Sequence, residues 1–94
     1  MSVSKKFTVL NKVGLHARPA AKFVKAASKL KQNKVLVENI TKETPQINGK
    51  SFTSILSIAV QQGNEILLTI EGENAEAALD MFTDMFDSKF GEEE

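Results

Sequence analysis

Cysteine, tryptophan and tyrosine are all absent from the 94 residues, and there is a single histidine, His16. Without cysteine, neither a disulfide framework nor a thiolate zinc site is available, and one histidine would leave a metal site to carboxylates. No metal and no cofactor are expected. Apolar runs are short as well: none approaches the ~20 residues of a membrane span, and the start of the chain leads into an alternating segment instead of a signal sequence. These features read as a cytoplasmic chain, not inserted in a membrane, folding as one domain over residues 1–94. Asn39-Ile40-Thr41 matches a glycosylation sequon, which has no consequence without a secretory signal.

Net charge is also lacking, but the zero sum hides two unlike halves. Residues 1–50 hold 11 of the 12 Lys and Arg beside two acids, Glu38 and Glu43, whereas residues 51–94 hold Lys89 beside ten acids. A basic half suits an anionic partner, whether nucleic acid, phosphate or an acidic protein surface. Two solvated faces would explain the same charges.

Periodicity places the elements. Phe7 and Val9 alternate with Lys6 and Thr8 ahead of a turn at Asn11 to Gly14, as in a first strand. From Ala17 to Lys31, the spacing of Ala20, Phe23, Val24, Ala27 and Leu30 predicts a helix with Lys22, Lys25 and Lys29 outward. Lys34 to Ile40 reads as a strand, and Thr41 to Ile47, broken by Pro45, as a short edge strand. Ser51 is the expected N-cap of a helix carrying Phe52, Ile55, Leu56, Ala59 and Val60 and ended by Gly63-Asn64. Ile66, Leu68 and Ile70 mark another strand. Asn74 is the expected cap of a last helix with Ala75, Ala78, Leu79, Phe82 and Phe86 inward, and Glu92 to Glu94 is expected to fray. The order β-α-β-β-α-β-α predicts an α+β fold, an antiparallel sheet with one face under helices and one open to solvent.

Chemistry concentrates in Gly14-Leu15-His16-Ala17-Arg18-Pro19. Gly14 permits a sharp turn, and Pro19 fits the first turn of a helix, where its missing N–H costs nothing. His16 is thereby set at a helix start. The N–H groups of Ala17 and Arg18, with the helix dipole, suit an anion on the imidazole, and the Arg18 guanidinium suits phosphate oxygens. Histidine's ordinary pKa of about 6.5 leaves much of it neutral and nucleophilic near pH 7. No second histidine, magnesium-binding carboxylate cluster or small-molecule motif accompanies it, so a partner protein must supply the rest.

This segment resembles the active-site motif of the HPr phosphocarrier family. The similarity runs on through Ala20-Ala21-Lys22-Phe23-Val24-Lys25, the Asn48-Gly49-Lys50-Ser51 turn and the final helix. It implies an open-faced β-sandwich, a four-stranded antiparallel sheet covered on one face by three helices. It also implies that His16 accepts a phosphoryl group on Nδ1 from enzyme I, which phosphoenolpyruvate has charged, and passes it to an enzyme IIA-type protein. The chain would then be a monomeric, stoichiometric carrier and not a turnover enzyme. Lys22, Lys25 and Lys50 would join Arg18 in a basic rim for acidic partners, with one or two of Phe52, Ile55 and Leu56 as apolar contacts.

Ser51 aligns with the serine that many HPr proteins offer to an HPr kinase/phosphorylase, although an N-cap role already explains a serine there. Ser54 and Ala59 stand where the regulated type often has glycine. Asp87-Ser88-Lys89-Phe90-Gly91-Glu92 resembles the ending of the nitrogen-branch carrier, so the sugar and nitrogen branches both stay open. Gly49-Lys50-Ser51 imitates the end of a P-loop, but Thr44 occupies the position of its first glycine, which rejects nucleotide binding. An HPr-like regulatory module controlled through Ser51 is one rival reading. A nucleic-acid-binding domain is the other, and it lacks Trp and Tyr for base stacking on an open sheet.

Overall fold

The computed structural model describes residues 2–92. Strands β1 (Ser2–Thr8), β2 (Asn33–Asn39), β3 (Ile47–Asn48) and β4 (Glu65–Gly72) form one antiparallel sheet in the order β1-β4-β2-β3. Helices α1 (Ala17–Ser28), α2 (Phe52–Ser57) and α3 (Ala75–Asp87) complete the α+β sandwich, and a single turn, α4 (Lys89–Gly91), follows.

Period-two patterning sets the register. Phe7 lies opposite Ile66, Val37 opposite Leu68 and Val35 opposite Ile70, and these side chains are all buried against the helices. The alternate positions Lys6, Leu67 and Glu38 form a row on the open face; beside it runs Ser4, Thr69 and Leu36, with the Ser4 and Thr69 hydroxyls 2.9 Å apart. No aromatic side chain stands in either row. Phe7 stacks on Phe86 at 4.4 Å between centroids, Phe23 meets Phe82 at 4.8 Å, and Phe90 sets its edge against Phe86 at 4.9 Å, so five of the six phenylalanines are spent on the core.

Several boundaries depart from expectation. α1 ends at Ser28 instead of Lys31, with the Leu30 N–H returning to Ala27 in a tighter turn. The predicted edge strand at Thr41 to Ile47 shrinks to Ile47–Asn48, because the chain turns: the Thr44 hydroxyl takes the Asn39 N–H at 2.9 Å and Glu43 adopts φ 54°. Asn39 itself is fully buried. α2 stops at Ser57, well before Gly63, since Ala59 at φ 48° reverses the helical sense. Asn74 precedes α3 but makes no side-chain cap; its φ of 55° is left-handed, whereas a capping side chain needs an extended backbone.

The expectation of a frayed ending fails at Glu92; Glu93 and Glu94 lie outside the described residues. Lys89, Phe90 and Gly91 have φ of 56°, 56° and 72°, a left-handed turn that folds the chain back over α1. Two non-glycine residues in that conformation cost about 1–2 kcal/mol each. Burial of Phe90 at 4% exposure offsets roughly 1.5–3 kcal/mol of this, and its carbonyl accepts the Lys22 ammonium at 2.7 Å.

Candidate functional site

The turn before α1 is built from Asn11 and Gly14. Asn11 is buried; its backbone carbonyl accepts the Gly14 N–H at 3.0 Å, and its side-chain amide donates to the Gly14 carbonyl. Gly14, at φ 65°, lies so close to Val60 and Gln61 that no Cβ fits. The next N–H, from Leu15, donates to the Val60 carbonyl at 3.0 Å, while the Leu15 side chain enters the core. Leu15 and Gly14 thus fix the backbone on both sides of a bend whose next residue points outward. That residue is His16.

His16 is the N-cap of α1, with φ −78° and ψ −169°, and its carbonyl accepts the first helical bond from Ala20 at 2.9 Å. Its side chain caps nothing and is 42% exposed, leaving the imidazole available to another molecule. The N–H groups of Ala17 and Arg18 fall in the first turn, where a helix offers no acceptor of its own, and Pro19 contributes no donor. The predicted pair of backbone donors therefore starts beside the imidazole.

Arg18, Lys22 and Lys25 follow at helical spacing along one side of α1, all exposed. Arg18 and Lys22 converge on an acid that sequence reasoning assigned to solvent. Glu92 Oε1 accepts from Arg18 Nε at 3.1 Å and lies 3.0 Å from Arg18 Nη2; Oε2 is 3.4 Å from Lys22 Nζ. Oε1 is also 3.8 Å from Nε2 of His16. Burial alone would push the Glu92 carboxyl up, but hydrogen bonding and charge from Arg18, then from Lys22, outweigh it and hold the group below its ordinary value of 4.5.

The remaining predicted contacts separate. Of the three apolar candidates on α2, Phe52 and Leu56 are exposed, at 38% and 39%, one helical turn apart. Ile55 is fully buried and belongs to the core, which corrects its assignment as a partner contact. Ser51 caps α2, its hydroxyl accepting the Ser54 N–H at 3.3 Å. Lys50 does not extend the rim around His16: its ammonium donates at 2.7 Å to the carbonyl of Leu30, beyond the far end of α1. Because Leu15 binds Val60 after α2 while Lys50 binds Leu30 before it, α1 and α2 run in opposite senses. Ser51 therefore sits toward the C-terminal end of α1, away from the imidazole.

Asn11 and Glu92 are the residues that sequence reasoning missed as parts of the site. Asparagine three residues before a glycine is a turn signal and points to the first. Nothing local points to the second.

A family model described as the PTS HPr component phosphorylation site matches residues 3–88. Phosphocarrier protein HPr of Treponema pallidum (strain Nichols) is 40% identical over 91 residues, 97% of this chain and 99% of that protein. A multiphosphoryl transfer protein of Haemophilus influenzae is 36% identical over 74 residues, 79% of this chain and 15% of that protein. The crystal structure of HPr-C-His from Thermoanaerobacter tengcongensis superposes with a TM-score of 0.88 at 42% identity, covering 98% of this chain and 99% of that one. With matching fold, length and histidine-bearing turn, the chain belongs to the HPr family, the phosphocarriers of the phosphotransferase system.

Proposed function

We propose that His16 is the residue that carries the phosphoryl group, received from enzyme I and passed to an enzyme IIA-type protein. The observation that supports this most directly is the convergence on one exposed imidazole: it stands at the start of α1, beside the first-turn N–H groups of Ala17 and Arg18, with the Arg18 and Lys22 side chains on the same side. Charge developing on a phosphoryl group in flight meets the fixed backbone donors of the first helical turn there.

The transfer is an in-line displacement. A lone pair of the His16 imidazole, that of Nδ1 by family resemblance, forms a bond to phosphorus as the phosphorus–nitrogen bond of the donor breaks, and the donor nitrogen keeps the electron pair. The second transfer repeats this with His16 as donor. Each bond made resembles the bond lost, so the step is reversible, as a relay needs. The chain acts once per phosphoryl group, as a monomeric carrier in the cytoplasm and not as an enzyme, with residues 1–94 folding as one domain.

Partners dock on the face that surrounds the imidazole. Arg18, Lys22 and Lys25 give it positive charge, and Phe52 and Leu56 give it apolar area. Ser51 is a second phosphorylation site, for an HPr kinase/phosphorylase, placed to alter docking and not the imidazole. The open sheet rows offer Ser, Thr, Leu, Lys and Glu, which gives the nucleic-acid reading no observation in its favour.

The test is incubation with phosphoenolpyruvate, enzyme I and IIA-type acceptors from the sugar and nitrogen branches. Wild type gains one acid-labile, base-stable phosphate and passes it on, and the preferred acceptor identifies the branch. His16→Ala gains none; label retained by that variant overturns the assignment.

A further inference from the structure

The segment that joins α2 to β4 gives three successive carbonyls to donors from other parts of the chain. The Ile58 carbonyl accepts Asn39 Nδ2 at 3.0 Å, the Ala59 carbonyl accepts Lys42 Nζ at 2.7 Å, and the Val60 carbonyl accepts the Leu15 N–H at 3.0 Å. The first two donors belong to the end of β2 and the turn after it, and the third to the turn that presents His16. The segment is therefore held from β2 and in turn holds the site.

Asn39 is the centre of that grip. It is fully buried with both amide N–H groups and its oxygen engaged: Nδ2 donates a second time, to Asn64 Oδ1 at 3.1 Å, and Oδ1 accepts the Lys42 N–H at 3.2 Å. Asn64 Oδ1 also takes the Gln61 N–H at 2.9 Å, which ties both ends of the stretch from Ile58 to Asn64 to one side chain. From that stretch further bonds run to the connection between β1 and α1. The Asn64 carbonyl accepts the Val9 N–H at 2.9 Å, and Gln62 Nε2 donates to the Leu10 carbonyl at 3.2 Å. A buried network in which each group finds a partner is rigid and fixes one arrangement of the chain.

We infer that Asn39 and Lys42 are positioning residues for phosphoryl transfer, holding the exit of α2 so that Val60 keeps the His16 turn in place. The inference rests on the reading of His16 as the phosphoryl carrier. Both residues act through the backbone of another segment and reach the site by way of Val60 and Leu15. In-line transfer between two imidazoles depends on placement, and a shift of about 1 Å at the reacting atom costs up to about a hundredfold in rate. Lys42 is the accessible member of the pair, exposed at the surface, whereas Asn39 is sealed in.

The test uses the full chain with Lys42→Met, Lys42→Arg and Asn39→Ala, and with Lys31→Met as a control that removes one exposed charge beyond the C-terminal end of α1. Two quantities are read: hydrogen exchange of the Leu15 amide relative to that of Leu68 in the sheet, and charging by enzyme I, separated into the rate at saturating carrier and KM. Lys42→Met is expected to speed Leu15 exchange over Leu68 by roughly two- to tenfold, the factor of one exposed hydrogen bond. It should lower the saturating rate by roughly two- to fivefold with KM unchanged. Asn39→Ala should do both more strongly, and where it fails to fold, Lys42→Met decides. Lys42→Arg keeps a donor for the Ala59 carbonyl and should recover most of both losses, while Lys31→Met should change neither. A role in stability alone would move Leu15 and Leu68 together and spare the saturating rate. That outcome overturns the inference, as does a change confined to KM, a Lys42→Arg as slow as Lys42→Met, or an equally slow Lys31→Met. Failure of wild type to take a phosphoryl group, or uptake by His16→Ala, would instead overturn the reading beneath it.

Discussion

Leu15 donates its N–H to the carbonyl of Val60 at 3.0 Å, joining the turn that presents His16 to the segment that leaves α2. The two residues come from different connecting segments, one before α1 and one after α2, and each has its side chain in the core. The position of the imidazole is therefore inherited from the packing of α2 on the sheet as well as from α1. Changes near Val60 should be felt at His16 although they touch nothing that reacts.

Gly14→Ala is the severe case. A Cβ on Gly14 would overlap the Val60 carbonyl oxygen and come within 2.8 Å of the Gln61 α-carbon, and φ 65° disfavours any side chain. Backbone cannot yield as a flexible side chain would, so the Leu15–Val60 bond and the bend must open. The expected cost is about 2–4 kcal/mol in urea unfolding, together with at least a tenfold fall in the rate of phosphorylation by enzyme I. A variant as stable as wild type would refute the account of this turn.

Ala59→Gly works in the opposite direction. Ala59 holds φ 48° between the end of α2 and Val60, a strained setting for a residue with a Cβ. Glycine relieves that strain and loses somewhat more chain entropy on folding, for a net gain of up to about 1 kcal/mol. Thermal unfolding should shift upward by a few degrees, with phosphoryl uptake unchanged. A lowered midpoint would show that the alanine methyl group contributes more than its strain costs.

Much of the site was legible because its signals are local. Gly14 before the bend, Pro19 in the first helical turn and the Arg18, Lys22, Lys25 spacing each state their geometry within about two turns of chain. The choice among Phe52, Ile55 and Leu56 was not legible, because a helix of six residues carries too short a pattern to tell its buried stripe from its flank. Asn74 shows a different ambiguity: asparagine favours both N-caps and left-handed turns, and here the backbone takes the second. Glu92 was hidden by distance. Its partner Arg18 is 74 positions away, and the reversal that joins them uses Lys89 and Phe90 in a conformation their residue types do not advertise.

Ser51 permits a clean separation of stability from electrostatics. Its hydroxyl accepts the Ser54 N–H, so Ser51→Ala should cost about 1 kcal/mol in chemical denaturation through loss of the cap. Ser51→Asp keeps a capping oxygen and should retain wild-type stability, while its added charge on the docking face slows charging by enzyme I, roughly three- to tenfold at low salt and less at high salt. Since Ser51 lies toward the far end of α1 from His16, the phosphoryl group, once on, should be no less stable. Unchanged charging of the stable Asp variant would remove Ser51 from the docking surface.

Acid should release Glu92 in a direction fixed by the sign of its shift. Docking lowers the carboxyl below 4.5, through Arg18 first and Lys22 second against the opposing effect of burial. A group depressed in the docked state contributes its full stabilisation above its ordinary value and loses it as pH falls through the lower, docked value. Glu92 should therefore stay bound down through pH 4.5 and let go only below it. Nuclear magnetic resonance of its side-chain carboxyl carbon and of the Gly91 amide reads this as a shared inflection below 4.5. Arg18→Ala removes the largest lowering influence, so the inflection should move up toward 4.5. A wild-type inflection at or above 4.5, indifferent to Arg18→Ala, would mean that the carboxylate is not held by these cations in solution.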